Sequence, residues 1–538
     1  MFPTSQNKKP SQGYNAPYGL AFWVIDSPII LDGQPFSFKN HEYLKAPYTD
    51  QSSHIVVKKG NQLGYSVYAL LKGIHGCAYT YRQGALYLLP TSDIISDFAD
   101  SKLKRLTMDN PTIFKKLIKG TDRTHLKDIL GSPFYFHGTK SKSQLAIVSV
   151  DLVIYDERDL MDDLAIRWGS QRLHHSEYKH ILSLSKPSLP DWGIDREWQN
   201  SDRKEWFTFC EKCKEYTQLS QEFPNCIDMV GGKYIRRCKH CGETIHPAIG
   251  KYIPQNPTST ISGYHVSQLD KEDVDLDALM DEFSQGEHIE EFYNSRLGLA
   301  YIDAVNRLEV NQVLSLCGLH KIQLSDKGPC SMGVDQGKDL HVVIGKKLNK
   351  TTSRIVYIGI KKEWSELDEL MIKFNVRCCV VDGLPNTTNA REFANRFWGR
   401  IFVRQAYYGS RGGIIDWDMK EMLVKCNRNE VIDSFVNIIR SETIELPAQC
   451  DIVKEYARHC HATMKKEETD LETGVKRQMW VKSGEDHFFH ASVYSNMASQ
   501  RISIAYDKKE QEDRWDKDDM WDRGGSSRPM GKYGWMAV

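Results

Sequence analysis

The 538-residue chain has no excess of either charge. Its 71 Lys plus Arg balance 71 Asp plus Glu, so no overall basic field points to a nucleic-acid partner, and any grip on phosphate must come from local faces. No apolar run approaches the ~20 residues needed to cross a bilayer, because Lys, Asp or Glu interrupts each one. This leads us to expect a soluble protein with no membrane partner. The stretch from Met1 to Gly19 is rich in Ser, Asn, Pro and Lys and has no apolar h-region, so secretion is not expected. There is no internal repeat. The thirteen cysteines are odd in number and scattered, which argues against a secreted disulfide framework and for reduced cytosolic thiols, some of them on metal.

At roughly 100–200 residues per domain the length implies three or four folding units. His54 to Val57 reads as a strand, Lys58 to Ser66 as a loop and the following Val67 to Leu71 as a helix. Ala85 to Leu89 and the apolar Gln144 to Tyr155 read as further strands, and Asp93 to Leu106 has helical spacing. Alternation of this kind predicts a mostly parallel sheet covered on both faces. The pattern breaks between Trp206 and Ile245, a charged, turn-rich stretch. It resumes as a helix over Asp273 to Leu297 and a connector from Leu314 to Gly328. A second α/β pattern starts at Ser331, with strands at Met332–Asp335, Leu340–Ile344, Arg354–Ile360, Arg377–Val381 and Arg400–Arg404 and helices at Ser365–Phe374 and Asn389–Phe397, which predicts a mixed five-strand sheet. From Asp507 onward charges mix with Gly, Ser and Trp without a period, as in a flexible tail.

Three constellations could carry chemistry. In the first, Gly60, four residues and Gly64-Tyr65-Ser66 follow a strand and open a helix. Converging backbone N–H groups and a helix amino end suit phosphate. The ordinary P-loop has Lys just before its hydroxyl residue. Here Tyr65 stands in that place, and Lys59 lies at the other end of the loop.

In the second, Cys210-x-x-Cys213 and Cys238-x-x-Cys241 have the spacing of four thiolates around a tetrahedral Zn²⁺. A short polar stretch lacks the apolar residues to hold a core without a metal, so a structural role is expected. Cys226 reads as a spectator, and His240 and His246 as less favoured substitutes. In the third, Asp335 and Asp382 end two strands of the second sheet and Asp486 opens a helix running to about Gln500. Carboxylates so placed can hold two divalent ions that activate water at a phosphodiester. Glu485 and His487 are neighbours of that set.

Lys59, Gly64, Tyr65 and Ser66 resemble the deviant Walker A loop of the large terminase subunits of tailed phages, lambda-type branch. In that family a lysine opening the loop replaces the usual one. The resemblance extends through Pro35 to Phe38, Arg167 to Ser170 and Phe292 to Gly298, and the D-H-F-x-H-A-x-x-Y pattern over Asp486 to Tyr494 is similar to the same branch. It implies a P-loop (RecA/ASCE-like) α/β ATPase core and an RNase H-like α/β nuclease. With the four-cysteine, zinc-ribbon-like insert and the aperiodic tail read above, the expected domains are the ATPase core at 1–205, the insert at 206–248, the rest of the ATPase domain and a linker at 249–325, the nuclease at 326–506 and the tail at 507–538. ATP would sit on Lys59, Gly60, Asn61, Gln62, Gly64, Tyr65 and Ser66.

A Walker B strand should follow the loop and end in two acids. Leu152 to Glu157 fits, with Asp156 on the Mg²⁺ side and Glu157 as catalytic base. Ser183 to Pro187 stands at the family's coupling motif, with Lys186 where Thr or Ser is commoner. The segment from Phe36 to Gln51 would face the adenine. Arg82, Arg105, Arg123 and Arg158 lie in the ATPase half without marking an arginine finger. Asp335, Asp382 and Asp486 would be the Mg²⁺ or Mn²⁺ ligands, beside a β-hairpin over Thr463 to Lys482.

The expected activity is ATP-driven packaging of double-stranded DNA into a procapsid, with endonucleolytic cutting of concatemers in the host cytoplasm. The expected partners are a small terminase subunit, a portal protein and further copies in a ring. Three rivals compete: a helicase-like translocase with a nuclease, a zinc-bearing DNA-docking protein with an inactive ATPase, and a transposase or integrase built on the same acids.

Overall fold

The computed structural model describes residues 19–27, 29–140, 148–349, 351–407, 415–469 and 476–502. The polar segment before Gly19, the start of the apolar run at Gln144, the hairpin turn at Glu472–Gly474 and the tail from Asp507 lie outside them. The chain forms two compact units, Met1–Asp303 and Ala304–Val538.

In the first unit an eleven-stranded sheet is built around seven strands: β1 (His54–Lys59), β2 (Ala85–Leu89), β3 (Ser132–Gly138), β4 (Leu152–Asp156), β5 (His180–Ser185), β6 (Lys204–Phe209) and β7 (Ser262–Val266). They pair in the order β6-β7-β1-β5-β4-β2-β3, all parallel. Ile55, Val57, Tyr87 and Leu182 pack on one face and Leu86, Leu88, Val153 and Tyr155 on the other. This is why these strands read as continuous apolar runs. β5 separates β1 from β4, so the carboxyl ends of β1 and β4 stand about 10 Å apart at two strand spacings. Helix α1 (Tyr65–Tyr79) leaves the end of β1.

Three expected elements are shortened or broken. Among the described residues the strand ending at the two acids spans only Leu152–Asp156, and the helix expected over Asp93–Leu106 is broken by a π turn, Ala99–Leu103. The helical run expected to reach Leu297 breaks after Gln285 at Gly286 (φ +67°), resumes at Ile289–Phe292 and finishes in a second π turn, Tyr293–Leu297. The four-cysteine stretch is not purely polar. Leu219, Phe223, Cys226 and Ile245 join Leu269, Leu279, Phe292 and Leu297 in a small core, and its first strand, β6, belongs to the large sheet.

In the second unit the five expected strands are β8 (Cys330–Gln336), β9 (Leu340–Lys347), β10 (Ser353–Lys361), β11 (Val376–Asp382) and β12 (Ile401–Tyr407). β8, β9 and β10 form an antiparallel meander, while β11 and β12 run parallel to β8. Ile415–Asp418 and Leu423–Asn427 extend one edge and Ile444–Glu445 the other, so among the described residues the sheet has eight strands rather than five. The edge pieces are two to five residues long, too short for a period to stand out. A helix over 487–502 crosses β8. It comes so close that a Cβ on Gly333 would lie 1.9 Å from the Ala491 carbonyl oxygen. The hairpin Thr463–Thr469 with Lys476–Lys482 forms as expected.

Candidate functional sites

The β1–α1 loop is fixed by backbone bonds rather than by its own side chains. Gly60 N–H donates to the Val266 carbonyl (2.9 Å) and Asn61 N–H to the Ser295 carbonyl (2.7 Å). A Cβ on Gly60 would sit 2.8 Å from the Arg296 oxygen, so the close approach requires glycine there. Gly64 takes φ +82° as the cap of α1, a conformation that costs glycine little. A cavity of about 290 Å³ opens above the loop, lined by Lys59, Asn61, Gln62, Gly64, Ser66 and Glu157 among others. Lys59 Nζ lies 3.7 Å from Glu157 Oε1. The loop lysine and the second acid therefore face one gap, as the two ends of a phosphate site should.

Tyr65 is 1% exposed, and its hydroxyl lies 3.2 Å from that of Tyr252. Burial raises its pKa well above the usual phenol value, helped by the neighbouring tyrosines. It holds α1 against the core and carries no charge for a phosphate. Lys102, placed by the Ala99–Leu103 π turn, also lines the cavity. No local pattern distinguishes it from Lys104 or Arg105 nearby.

Asp156 is buried. One oxygen accepts from the Tyr87 hydroxyl (2.6 Å), while Oδ1 has no partner among the described residues. An orphaned buried carboxylate oxygen suits a hydrated Mg²⁺. Glu157 sits at φ +60°, uncommon for a non-glycine residue. The next residues tie the strand end to its neighbour. Asp159 accepts from Ser188 N–H and Oγ (both 2.8 Å) and from Ile194 N–H (2.6 Å), while Ser185 Oγ accepts from Asp159 N–H. Burial pushes Asp159 up to about 6 against these bonds. Ser183–Pro187 is thus joined to the Glu157 loop, and Lys186 reaches Glu291 (2.6 Å).

Among the arginines in question, Arg158 is 3% exposed and held by Glu197 and Asp163, and Arg105 pairs with Asp32 on the surface. Along the Phe36–Gln51 segment Phe36, Phe38 and Tyr48 pack together, Tyr48 lies against Tyr68 of α1, and the Tyr43 hydroxyl donates to the Leu63 carbonyl.

The sulfurs of Cys210, Cys213, Cys238 and Cys241 all lie within 4.8 Å of one another, the only such group of potential metal ligands among the described residues. The Cys210–Cys241 and Cys213–Cys238 separations are both 3.6 Å. That is far too long for a disulfide, and close to the ~3.8 Å edge of a tetrahedron with Zn–S bonds of about 2.3 Å. Cys238 is lowered to about 6. Burial opposes this, but the N–H groups of His240 and Cys241 and hydrogen bonds from Cys213 and Thr217 outweigh it. The donor set fits zinc. Cys226 is turned away, its thiol on the Leu219 carbonyl (3.2 Å) and pushed up to about 12 by burial, and His246 pairs with Glu272.

In the second unit the three acids gather around the ends of β8 and β11 and the start of the 487–502 helix, each with a partner. Asp335 Oδ2 accepts from His487 (2.7 Å). Asp382 accepts from the Tyr494 hydroxyl (3.1 Å) and lies 3.3 Å from Arg404 Nη1. Asp486 is held by His490 (3.2 Å) and Lys482 (3.4 Å). Burial and the nearby Asp382 charge raise the pKa of Asp335 against His487. In Asp486 burial is overcome by His490 and Lys482, which hold it at about 2. The three carboxylates do not all come within 4.8 Å of one another. Glu485 is exposed, 3.6 Å from His459. Arg404 and Tyr494 on Asp382, and His341 stacked on His487, are partners the linear sequence did not reveal.

Residues 35–251 match the family described as phage terminase large subunit gpA, ATPase domain. Among solved structures, the large terminase of bacteriophage HK97 aligns at 11% identity over 89% of this chain and 99% of its own, with a TM-score of 0.52. The large terminase of a thermophilic bacteriophage aligns at 11% identity over 86% of this chain and 98% of its own, with a TM-score of 0.32. No curated protein sequence matches the chain.

Proposed function

We propose that this chain, which belongs through residues 35–251 to the phage terminase large subunits, hydrolyses ATP to drive double-stranded DNA into a procapsid and cuts concatemeric DNA with its second unit. The observation that carries the ATPase half is a cavity lined by both Lys59 and Glu157, whose charged ends lie 3.7 Å apart. Lys59 and the loop N–H groups bind the phosphates, and Glu157 orients the attacking water and takes up its proton. Asp156 and Ser66 would hold Mg²⁺, which supplies charge neutralisation between the phosphates. The buried Tyr65 leaves the loop's charge to Lys59 and Lys102.

The nuclease reading rests on the strand order β10-β9-β8-β11-β12, the order of RNase H-like nucleases, and on the acids at its active end. Asp335, Asp382 and Asp486 would hold two Mg²⁺ or Mn²⁺ ions, which supply an activated water and stabilise the leaving oxygen. Cys210, Cys213, Cys238 and Cys241 would hold a structural Zn²⁺ in a closed site. Grip on phosphates makes DNA binding salt-sensitive and largely sequence-independent. The portal, a small terminase subunit, a ring of copies, the host cytoplasm and the lambda-type branch complete the proposal. Its domain bounds follow the five segments set out above. No helix among the described residues is long and apolar enough to cross a membrane.

The test is plasmid cleavage with Mg²⁺ or Mn²⁺, run beside DNA-stimulated ATP turnover. Asp335→Ala and Asp382→Ala are expected to stop cleavage and spare turnover, while Lys59→Ala stops turnover and spares cleavage. Cleavage undiminished in both Asp variants would remove the nuclease assignment. Absence of turnover in the wild type would favour the DNA-docking protein with an inactive ATPase.

A further inference from the structure

The Phe292–Gly298 motif has no part in the chemistry above, yet it touches both the Gly60–Asn61 loop and, through Ser188, the segment held by Asp159. Its Tyr293–Leu297 portion is wound as a π turn, a form found disproportionately at functional sites. On one side the Ser295 carbonyl accepts Asn61 N–H (2.7 Å), and Gly298 lies so close to the loop that a Cβ would stand 2.7 Å from Gly60 N. On the other side the Asn294 amide donates to the Ser188 carbonyl (3.2 Å). Ser188 is the residue held by Asp159, two positions beyond Glu157. The second polar atom of Asn294, Oδ1, accepts Tyr301 N–H (3.1 Å). Residues 299–303 are the segment on which the chain leaves the first unit. Tyr293 and Tyr301 also stack at 4.9 Å, and Leu299 N–H donates to the Tyr293 carbonyl.

Asn294 is 5% exposed and uses both ends of its amide. A buried amide in that position cannot follow a displacement of Ser188 relative to the P-loop while keeping Tyr301 in place, because a broken bond would leave a buried polar group unpaired. Resting on the ATPase reading above, we infer that Asn294 is a positioning residue through which the nucleotide state of the P-loop and the Glu157 loop is passed to residues 299–303. Ser295 supplies the P-loop input, Ser188 the input from the catalytic acid, and Tyr301 the output.

The experiment is amide hydrogen exchange on the full chain, with and without ATPγS and Mg²⁺. In the wild type the nucleotide slows exchange in the Lys59–Tyr65 peptide and changes it at 299–303 by about fivefold, one hydrogen bond's worth. Asn294→Ala keeps the first effect and loses the second, a separation that a merely structural role would not give. Tyr301→Pro removes the donor from outside the core, so it serves if Asn294→Ala does not fold, and it is expected to retain wild-type affinity for ATPγS while losing the response at 299–303. The inference is overturned if the P-loop is protected in the wild type while 299–303 does not respond, or if Asn294→Ala or Tyr301→Pro keeps the response. If ATPγS fails to protect the P-loop at all, the ATPase reading fails first and takes this inference with it.

Discussion

Removing one of the four clustered thiols tests the fold and the nucleotide site together. The two 3.6 Å sulfur pairs match a zinc tetrahedron, and binding Zn²⁺ at such a site is worth on the order of 10 kcal/mol. That is comparable to the whole stability of a domain, about 5–15 kcal/mol. Cys210 and Cys238 share a core cluster with Phe292, which precedes the Tyr293–Leu297 turn beside the P-loop, and with Leu297, which ends it. Cys213→Ser should therefore lower zinc content from about one ion per chain to near none. If only about 3 kcal/mol of the binding energy reaches the first unit, its unfolding temperature falls by roughly 5–10 °C. ATP turnover should fall with it, because the floor of the loop loosens. Cys226→Ser, whose thiol is on the Leu219 carbonyl, should keep the zinc. Metal analysis of freshly purified, reduced protein, with thermal unfolding and turnover before and after chelation, reads all three. Protein that carries no zinc, and whose unfolding and turnover are indifferent both to chelator and to Cys213→Ser, refutes the reasoning.

Glu157→Gln should bind ATP normally while turning it over about 10²–10⁴-fold more slowly; unchanged turnover would move the base elsewhere. Lys102→Ala should raise the KM for ATP about tenfold, the value of a charge-assisted hydrogen bond, with Lys102→Arg restoring most of it; equal KM values in all three proteins would show that Lys102 does not touch phosphate. Gly333→Ala must push the 487–502 helix outward by about 1 Å, a misplacement that can cost about 10²-fold in rate, so plasmid cleavage should collapse while ATP turnover persists. Asp270 is fully buried, and burial pushes it up to about 7, with Oδ1 unpartnered among the described residues. A folded-state value above the unfolded one contributes stability below about pH 4 that is lost as pH rises through about 7. Asp270→Asn should consequently be more stable than wild type above that range, by about 4 kcal/mol at most, and should lose its advantage near pH 4; parallel stability curves across this range would contradict the assignment.

The sequence by itself determined what short spacing and chain order can encode. The strand-loop-helix at Lys59–Ser66, the apolar strand ending at Asp156-Glu157, the two cysteine pairs and the β8–β12 succession are local patterns, because backbone geometry within a few residues fixes them. Contacts across tens or hundreds of residues leave no such trace. Only the tertiary structure placed β5 between the P-loop and acid-bearing strands, opening the gap for phosphate. It turned Tyr65 into the core towards Tyr252, brought Lys102 over the cavity and set Arg404 and Tyr494 on Asp382. It also inserted a π turn into one helix that periodicity drew as continuous, broke another at Gly286 and ended it in a π turn, and joined Asn294 to Ser188 across 106 residues. A linear pattern records which side chains can serve a strand, a cap or a ligand, whereas the packing of distant elements decides which of them meet.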